Sequence, residues 1–351
     1  MADPVVSRPK PCLVSLKSGR TYFWCRCGRS ANQPFCDGSH KGTGLEPKTF
    51  VAAADEEVLL CACKHSSDAP FCDGTHTNLP GGSPLDDPAS LANRGIPSVT
   101  EREGPRLRLN GACYVVSPAL AEKARRGDLT YSYLVTAELG ATYQTQLLLE
   151  VSGGASPVMS LGDREVILFV IAGRGTINIS GRAFEVKATD GVYVRPSEAL
   201  QLLPASQTLK VFALSCPPGM LQWHEAMPGN FDARYEQRVA SVDEAQRQAT
   251  GPRYFQLLVD KRIGSQVITQ FIGHIPQSKA APHRHLYEEA IIVLSGEGSM
   301  WTEDRKARVR AGDVIFLPRK QLHSLEATSA EGLDVVGVIC PGDNPSITYY
   351  D

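Results

Sequence analysis

The feature that most constrains the fold is a repeat of clustered cysteines and histidines near the start of the chain. Residues 23–40 read FWCRCGRSANQPFCDGSH, and residues 59–76 read LLCACKHSSDAPFCDGTH, at an offset of 36. A repeat at a fixed period predicts duplicated structural units. In a chain that reads as cytosolic, clustered cysteines and histidines predict metal sites rather than disulfides.

Each copy supplies Cys-x-Cys, eight residues, Cys, three residues and His. The candidate ligands are Cys25, Cys27, Cys36 and His40 in the first copy, and Cys61, Cys63, Cys72 and His76 in the second. Thiolates are the usual ligands of iron-sulfur clusters, and an imidazole in place of one thiolate raises the reduction potential. The same ligand set also permits a zinc site.

The strings CDGSH at residues 36–40 and CDGTH at residues 72–76 resemble the motif of the CDGSH iron-sulfur family, of which mitoNEET is a member. Two motifs in one chain resemble the monomeric, two-motif branch of that family. The resemblance implies two 2Fe-2S clusters rather than zinc, in a domain that spans residues 1–80.

Beyond this domain the pattern predicts a mainly β fold. Residues 81–110 are rich in proline, glycine and serine, which predicts a linker. Short alternating runs then fill residues 111–218 and, after a connection over residues 219–252, residues 253–351. Strands at this spacing, with glycine and proline turns, predict two copies of one antiparallel sandwich or barrel.

Two short helices are expected between these strands. Ser117 before a proline predicts a helix that ends at Gly127, and Ser241 with Glu244 forms a capping box for a helix that ends near Gly251.

The second barrel holds another set of candidate ligands. The run PHRHLYEEAIIVLSG supplies His283, His285 and Glu289, and GDVIFLPRKQLH supplies His323. Residues i and i+2 share one face of a strand, so His283 and His285 are expected to point together into the barrel. Three imidazoles and one carboxylate bind a divalent ion such as Fe, Mn, Ni or Zn and leave up to two positions for ligands. These four residues are the candidate catalytic metal site.

The spacing resembles the two signature motifs of the cupin family, G-x5-H-x-H-x3/4-E-x6-G and G-x5-P-x-G-x2-H. Gln277 replaces the first glycine and Lys320 replaces the glycine of the second motif. The family register selects Glu289 over Glu288 as the ligand. The resemblance implies double-stranded β-helix barrels of the jelly-roll type.

The corresponding positions of the first barrel predict no metal site. They are Ser160, Gly162, Val166 and Gln201. Because these residue types form no convincing metal shell, the first barrel is expected to be degenerate, metal-free and structural.

Further residues around the second barrel are candidates for pocket lining or for attracting a substrate. Strand alternation suggests Gln270, Tyr287, Trp301 and Phe316 as pocket lining. Arg284, Lys320 and Lys279 are either attractors of a carboxylate-bearing substrate or ordinary solvated charge. His65, His224 and His274 are expected to be surface or hydrogen-bonded groups rather than ligands.

Composition excludes some classes of function. The formal net charge of -2 gives no basic face for nucleic acid or anionic lipid. No apolar run approaches the roughly 20 residues that span a bilayer, and the first residues do not resemble a signal peptide. These observations predict a cytoplasmic protein with no nucleic-acid or membrane partner.

Three functions fit this combination of parts. The first is an Fe(II)-dependent oxygenase that oxidises or hydroxylates a small molecule with O2, with electrons from the two clusters and from a separate reductase. The second is a cupin dioxygenase, lyase or isomerase whose clusters sense redox state or iron. The third is a non-enzymatic cluster-transfer protein. A homodimer is compatible with each, because barrel edge strands often pair between subunits.

Overall fold

The computed structural model describes residues 3–350, so the first two residues of the predicted 1–80 domain and Asp351 lie outside the described range. The fold is mainly β, as predicted. Four strands belong to the N-terminal region: β1 (Cys12–Leu16), β2 (Thr21–Trp24), β3 (Lys48–Val51) and β4 (Glu56–Leu60). The next three are β5 (Leu85–Asp86), β6 (Arg106–Arg108) and β7 (Tyr114–Val116).

The remaining strands build two barrels. The first barrel contains β8 (Ala124–Arg126), β9 (Leu129–Val135), β10 (Thr145–Ser152), β11 (Val158–Ser160), β12 (Glu165–Ala172), β13 (Arg174–Ile179), β14 (Arg182–Lys187), β15 (Gly191–Val194), β16 (Leu200–Pro204), β17 (Thr208–Cys216), β18 (Gln222–His224) and β19 (Val239–Ala240). The second contains β20 (Gln248–Thr250), β21 (Arg253–Val259), β22 (Thr269–Ile275), β23 (Ser278–Ala280), β24 (Glu288–Ser295), β25 (Glu297–Trp301), β26 (Lys306–Arg310), β27 (Val314–Leu317), β28 (Ser324–Ala327) and β29 (Leu333–Cys340).

The two N-terminal repeats form one unit by exchanging strands. Strand β1 of the first repeat pairs with β4 of the second, and β2 pairs with β3 in the same way. Trp24, at the end of β2, packs with Leu60, and its indole N–H donates a hydrogen bond of 2.8 Å to the Cys61 carbonyl. The two repeats therefore share a core.

The first barrel consists of two antiparallel sheets, in the orders β19-β15-β12-β17-β10-β9-β8 and β14-β13-β16-β11-β18. Strand β10 is buried on both faces, because alternate residues along it pack into two different apolar clusters. Leu147, Leu149 and Val151 pack into the core of the first barrel, whereas Leu148 packs into the cluster shared with the second barrel.

The second barrel has sheets in the orders β20-β21-β22-β29-β24-β27-β7-β6 and β26-β25-β28-β23-β5. Residues 81–110 were predicted to be a linker, but they supply strands β5 and β6 to these two sheets. Residues 114–116, which fall in the range predicted for the first barrel, form β7 and pair with β27 of the second. These strands are only two or three residues long, too short for a readable alternation. Their pairing covers sheet edges that would otherwise be open.

The two expected helices are single turns of 3-10 helix. They span Pro118–Leu120 and Glu244–Gln246, and strands β8 and β20 take up the residues that follow. Asp243, not Ser241, caps the second turn, because its carboxylate accepts from the Ala245 N–H.

Four other helical turns occur in the described residues: α1 (Leu91–Arg94) and the 3-10 turns Thr75–Asn78, Ala137–Leu139 and Lys261–Ile263. No helix between residues 3 and 350 is long and apolar enough to cross a membrane.

Two equivalent glutamates join the barrels. Glu165 begins β12 opposite Cys216, and Glu288 begins β24 opposite Cys340. Each reaches into a loop of the other barrel: Glu288 accepts from the backbone N–H groups of residues 142 and 143 at 2.6 and 2.9 Å, and Glu165 accepts from those of residues 266 and 267. The barrels are therefore locked by a pair of pseudo-symmetric carboxylates.

We expect Glu288→Ala to lower the free energy of unfolding by about 1–3 kcal/mol, because it removes the carboxylate that accepts hydrogen bonds from two partly buried N–H groups. Glu288→Gln should cost less, since the amide oxygen still accepts one of these bonds. Urea denaturation measures both. The exposed Glu303→Ala is the control, with an expected change within about 0.5 kcal/mol. An equal effect of Glu288→Ala and Glu303→Ala would contradict the locking role.

Candidate functional site

Backbone pairing brings three histidines together inside the second barrel. His283 and His323 form an isolated antiparallel bridge, with N–H···O bonds of 3.0 Å in both directions. His285 lies two residues beyond His283, on the same face of the chain. The ring centroids are 4.5 to 5.0 Å apart, and one ligand nitrogen from each ring lies within 4.8 Å of the others. We call this group the three-histidine site.

Hydrogen bonds fix the tautomer of each imidazole. The Nδ1 atoms of His283, His285 and His323 lie 2.8, 3.2 and 2.8 Å from the carbonyl oxygens of Ala281, Ile347 and Gln321. A carbonyl only accepts, so each Nδ1 carries the proton and each Nε2 presents a lone pair. Metal-binding histidines are oriented in this way by their outer hydrogen bonds.

Burial keeps the three rings neutral. It lowers the pKa of His283 and His285 well below the ordinary value, and the pKa of His323 to about 4. The proximity of the rings to one another lowers the pKa of His283 and His285 further. Neutral imidazoles are the form that binds a metal ion.

Of the two adjacent carboxylates, Glu289 faces the three-histidine site. Its Oε2 lies 3.7 Å from His285 Nε2, and burial raises the pKa of Glu289 to about 8. A carboxylate so poorly solvated is stabilised by a bound cation. Glu288 points away into the barrel interface. The donor set, three bare imidazole nitrogens and one buried carboxyl, fits a divalent metal ion.

The residues that depart from the cupin motif keep the loops in place. Lys320 adopts the left-handed φ of 63° that a glycine would take there, and its N–H donates to the His285 carbonyl at 2.8 Å. Its ammonium pairs with Glu57 of the N-terminal region. A left-handed backbone conformation at a residue other than glycine costs on the order of 1 kcal/mol, and it persists where neighbouring contacts hold it. Gln277 bonds to the Thr328 carbonyl.

A cavity of about 150 Å³ opens onto the three-histidine site. Its apolar walls include Phe255, Phe271, Ile291, Leu325 and Val335. The four residues suggested by strand alternation do not line it, so that interpretation was wrong. Gln270 packs beside Gly191 between the barrels, Phe316 lies in the inter-barrel core, Trp301 bonds to Glu326, and Tyr287 stacks behind His285. The alternation of residues along a strand predicts which face of the sheet a side chain lies on. It does not predict which part of the barrel contains a cavity.

The N-terminal ligands form two Cys/His sites: the first Cys/His site (Cys25, Cys27, Cys36, His40) and the second Cys/His site (Cys61, Cys63, Cys72, His76). In the first, the Cys25 and Cys27 sulfurs are 3.8 Å apart, and Cys36 Sγ is 3.2 Å from His40 Nδ1. The second has matching distances of 3.5 and 3.3 Å.

These pairs favour a two-iron cluster over one zinc ion. Four ligands around a single zinc would all lie roughly 3.8 Å apart, given zinc-sulfur bonds of about 2.3 Å. Among residues 3–350, only the three-histidine site brings three such ligand atoms within 4.8 Å of one another. Each Cys/His site thus consists of two close pairs, as expected when each pair holds one iron.

The two Cys/His sites differ in their surroundings. His40 Nε2 lies 3.2 Å from the carboxylate of Glu46, whose side chain is 82% exposed. His76 is only 1% exposed, and its Nε2 has no hydrogen-bond partner among the described residues. Cys72 belongs to a buried apolar cluster with Ile347 and Tyr349 of the second barrel. The first site faces outward, whereas the second is buried against the barrel.

The remaining histidines are hydrogen-bonded, as predicted: His65 to the Cys63 carbonyl, His224 to Ser160, and His274 to Asp334. In the first barrel, Gln201 bonds to the Ser156 carbonyl, Val166 lies in the apolar core, and Gly162 donates to Ser160.

Comparison with known families agrees with both resemblances. A model described as an iron-binding zinc finger of CDGSH type matches residues 6–41 and 45–77, and a cupin domain model matches residues 273–339. This chain carries two CDGSH-type segments and a C-terminal cupin domain. The CDGSH segments are similar to CDGSH iron-sulfur domain-containing protein 3, mitochondrial, from Mus musculus (57% identity) and Homo sapiens (55%). Each match covers 53 residues, 14% of this chain, and only 39% and 42% of those relatives.

The barrels are similar to solved two-barrel cupins. A Lactobacillus farciminis oxalate decarboxylase in a formate complex superposes with a TM-score of 0.54 and 14% identity, over 65% of this chain and 86% of that one. Protein Ylba from E. coli gives a TM-score of 0.51 and 18% identity, over 72% and 96%. At these identities the likeness shows the fold.

We expect the purified chain to hold about one divalent ion at the cupin domain in addition to the metal of the Cys/His sites. His285→Ala and His323→Ala should each weaken that binding by at least tenfold, since even the outer partners of metal ligands contribute about 10- to 100-fold. Competition with a chromogenic chelator measures the affinity. His224→Ala is the control in the first barrel. Unchanged binding in the first two variants would place the ion elsewhere.

Proposed function

We propose that this chain is a metal-dependent oxygenase that oxidises or hydroxylates a small molecule with O2 at the three-histidine site. The proposal assigns Fe(II) to His283, His285, Glu289 and His323, and 2Fe-2S clusters to the two Cys/His sites as the electron supply. Bound iron supplies the activation of O2. The observation that carries the proposal is the close connection between the second Cys/His site and the three-histidine site.

The C-terminal segment (residues 343–350) makes this connection. Ile347 shares the buried cluster of Cys72, and the Ile347 carbonyl accepts the hydrogen bond from His285 Nδ1. Ile347 therefore packs its side chain into the cluster around Cys72, and its backbone carbonyl bonds to His285.

Further contacts hold the segment against the second Cys/His site. Asn344 Nδ2 donates to the Asp73 carbonyl at 3.1 Å. A Cβ on Gly74 would collide with Ser346 Oγ, so the CDGTH turn approaches the segment as closely as glycine allows. Thr77, next to His76, lines the cavity itself.

The electron count favours this chemistry. Hydroxylation inserts one oxygen atom of O2 into a C–H bond, and the other atom leaves as water after taking up two electrons and two protons. Two sites that each carry one electron match that need. Addition of both oxygen atoms, and lyase or isomerase reactions, require no external electrons. The sequence shows no G-x-G-x-x-G after a strand, so we propose a separate reductase as the source.

The surroundings of the two Cys/His sites suggest a direction. The first site faces the surface through His40 and Glu46, where a reductase has access. The second lies against the cupin domain. The indole of Trp24 bridges them through its bond to the Cys61 carbonyl. We therefore assign electron entry to the first site and exit to the second.

The test is a single turnover in the full chain. The clusters are reduced anaerobically, the three-histidine site is loaded with Fe(II) or with redox-inert Zn(II), and the protein is mixed with O2 and small carboxylic acids. Cluster absorbance and product are followed together. We expect reoxidation at least tenfold faster with Fe(II) than with Zn(II), coupled to product and abolished by His283→Ala.

Cluster variants separate this proposal from its alternatives. Cys36→Ser and Cys72→Ser remove one ligand from the first and second Cys/His site. Product that survives both changes undiminished would overturn the electron supply and favour a dioxygenase, lyase or isomerase with sensing clusters. Equal reoxidation with Fe(II) and Zn(II), without product, would leave cluster transfer as the better account.

A further inference from the structure

Arg253 is a cation inside the cavity of the cupin domain. It begins β21 and lines the cavity together with His283 and His323. One of its terminal nitrogens donates to the Leu325 carbonyl at 3.1 Å. Its positive charge also contributes to the lowered pKa of both histidines.

This arginine has no carboxylate partner among residues 3–350. Two fully buried cations each have one: Lys279 pairs with Asp86 at 2.5 Å, and Arg238 pairs with Glu198 at 2.5 Å. No described carboxylate lies within 4.0 Å of Arg253. Desolvation lowers the pKa of Arg253 to about 10, which still leaves the side chain charged at neutral pH.

With a divalent ion bound at the three-histidine site, the net charge of the cavity favours an anionic ligand. A divalent ion and Arg253 together carry three positive charges, and Glu289 supplies one negative charge. The imidazoles are neutral. A ligand with a negative group would offset this imbalance and the desolvation of the guanidinium, and a planar carboxylate matches the paired N–H donors of arginine.

The other basic residues suggested by the sequence do not offer such a site. Lys279 is committed to Asp86, and Lys320 is committed to Glu57. Arg284 donates to the Lys320 carbonyl. None of the three lines the cavity.

The walls restrict the rest of the ligand. Phe255, Phe271, Ile291 and Leu325 present apolar surface to the cavity. A cavity of about 150 Å³ accepts a body of roughly the size of benzene. A small dicarboxylate would leave these walls unmatched, whereas a compact apolar body would bury against them.

We propose that Arg253 anchors the carboxylate of the substrate, and that the substrate is a small monocarboxylic acid with a compact apolar body. This inference rests on the proposed metal site, and it extends the proposed oxygenase by naming its substrate class. The guanidinium holds the carboxylate, and the apolar body then lies between it and the three-histidine site.

The test is calorimetric binding to the full chain loaded with Zn(II), with no O2 chemistry involved. The probes are isobutyrate and benzoate, each paired with its neutral amide, and oxalate. We expect at least one of the two monocarboxylates to bind about 10- to 100-fold more tightly than its amide and more tightly than oxalate. Because no turnover is measured, a failed oxygenase assay leaves this result readable.

Variants assign the preference to Arg253. Arg253→Gln should abolish the preference for acid over amide, and Arg253→Lys should retain part of it. The control, Arg247→Gln, changes an arginine that pairs with Glu244 outside the cavity. The inference is overturned if neither monocarboxylate binds, if the amides bind equally well in the wild type, if oxalate binds best, or if Arg253→Gln leaves acid binding unchanged.

Discussion

The hydrogen bond from His285 Nδ1 to the Ile347 carbonyl is the contact on which the rest of the account depends. It fixes the tautomer that leaves His285 Nε2 free for a metal, and it holds the C-terminal segment across the second barrel. The same residue packs its side chain into the cluster that contains Cys72. The geometry of the three-histidine site and the position of the second Cys/His site therefore both depend on one short stretch of backbone.

The two barrels share an architecture but differ in what fills them. Equivalent strands place Val166 where the second barrel has Glu289, as the register beside Glu165 and Glu288 shows. Val166 lies in the apolar cluster of the first barrel, whereas the second barrel has a cavity beside its histidines. The first barrel thus serves as the rigid partner, joined to the second through the paired glutamates and a large shared apolar cluster.

Much of this organisation could be predicted from residue spacing. The i, i+2 histidines, the two CDGSH-type repeats and the choice of strand-rich barrels all rest on local periodicity. What could not be predicted depends on long-range packing. Strands β5 to β7 are too short for a readable alternation, and the partners of β5 and β7 in the second barrel lie more than 190 residues away. The position of Arg253 in the cavity could not be predicted, because a single arginine at the start of a strand is usually exposed to solvent. The role of Ile347 rests on its carbonyl, which side-chain identity does not encode.

The central claim is that the second Cys/His site, rather than the first, is coupled to the metal site of the cupin domain. Electron paramagnetic resonance of the anaerobically reduced chain tests it directly, with paramagnetic Mn(II) or diamagnetic Zn(II) at the three histidines. Cys36→Ser isolates the signal of the second site, and Cys72→Ser isolates that of the first. The account predicts that Mn(II) accelerates relaxation of the second-site signal much more than that of the first. Equal relaxation of the two signals, or no change from Zn(II) to Mn(II), would contradict it.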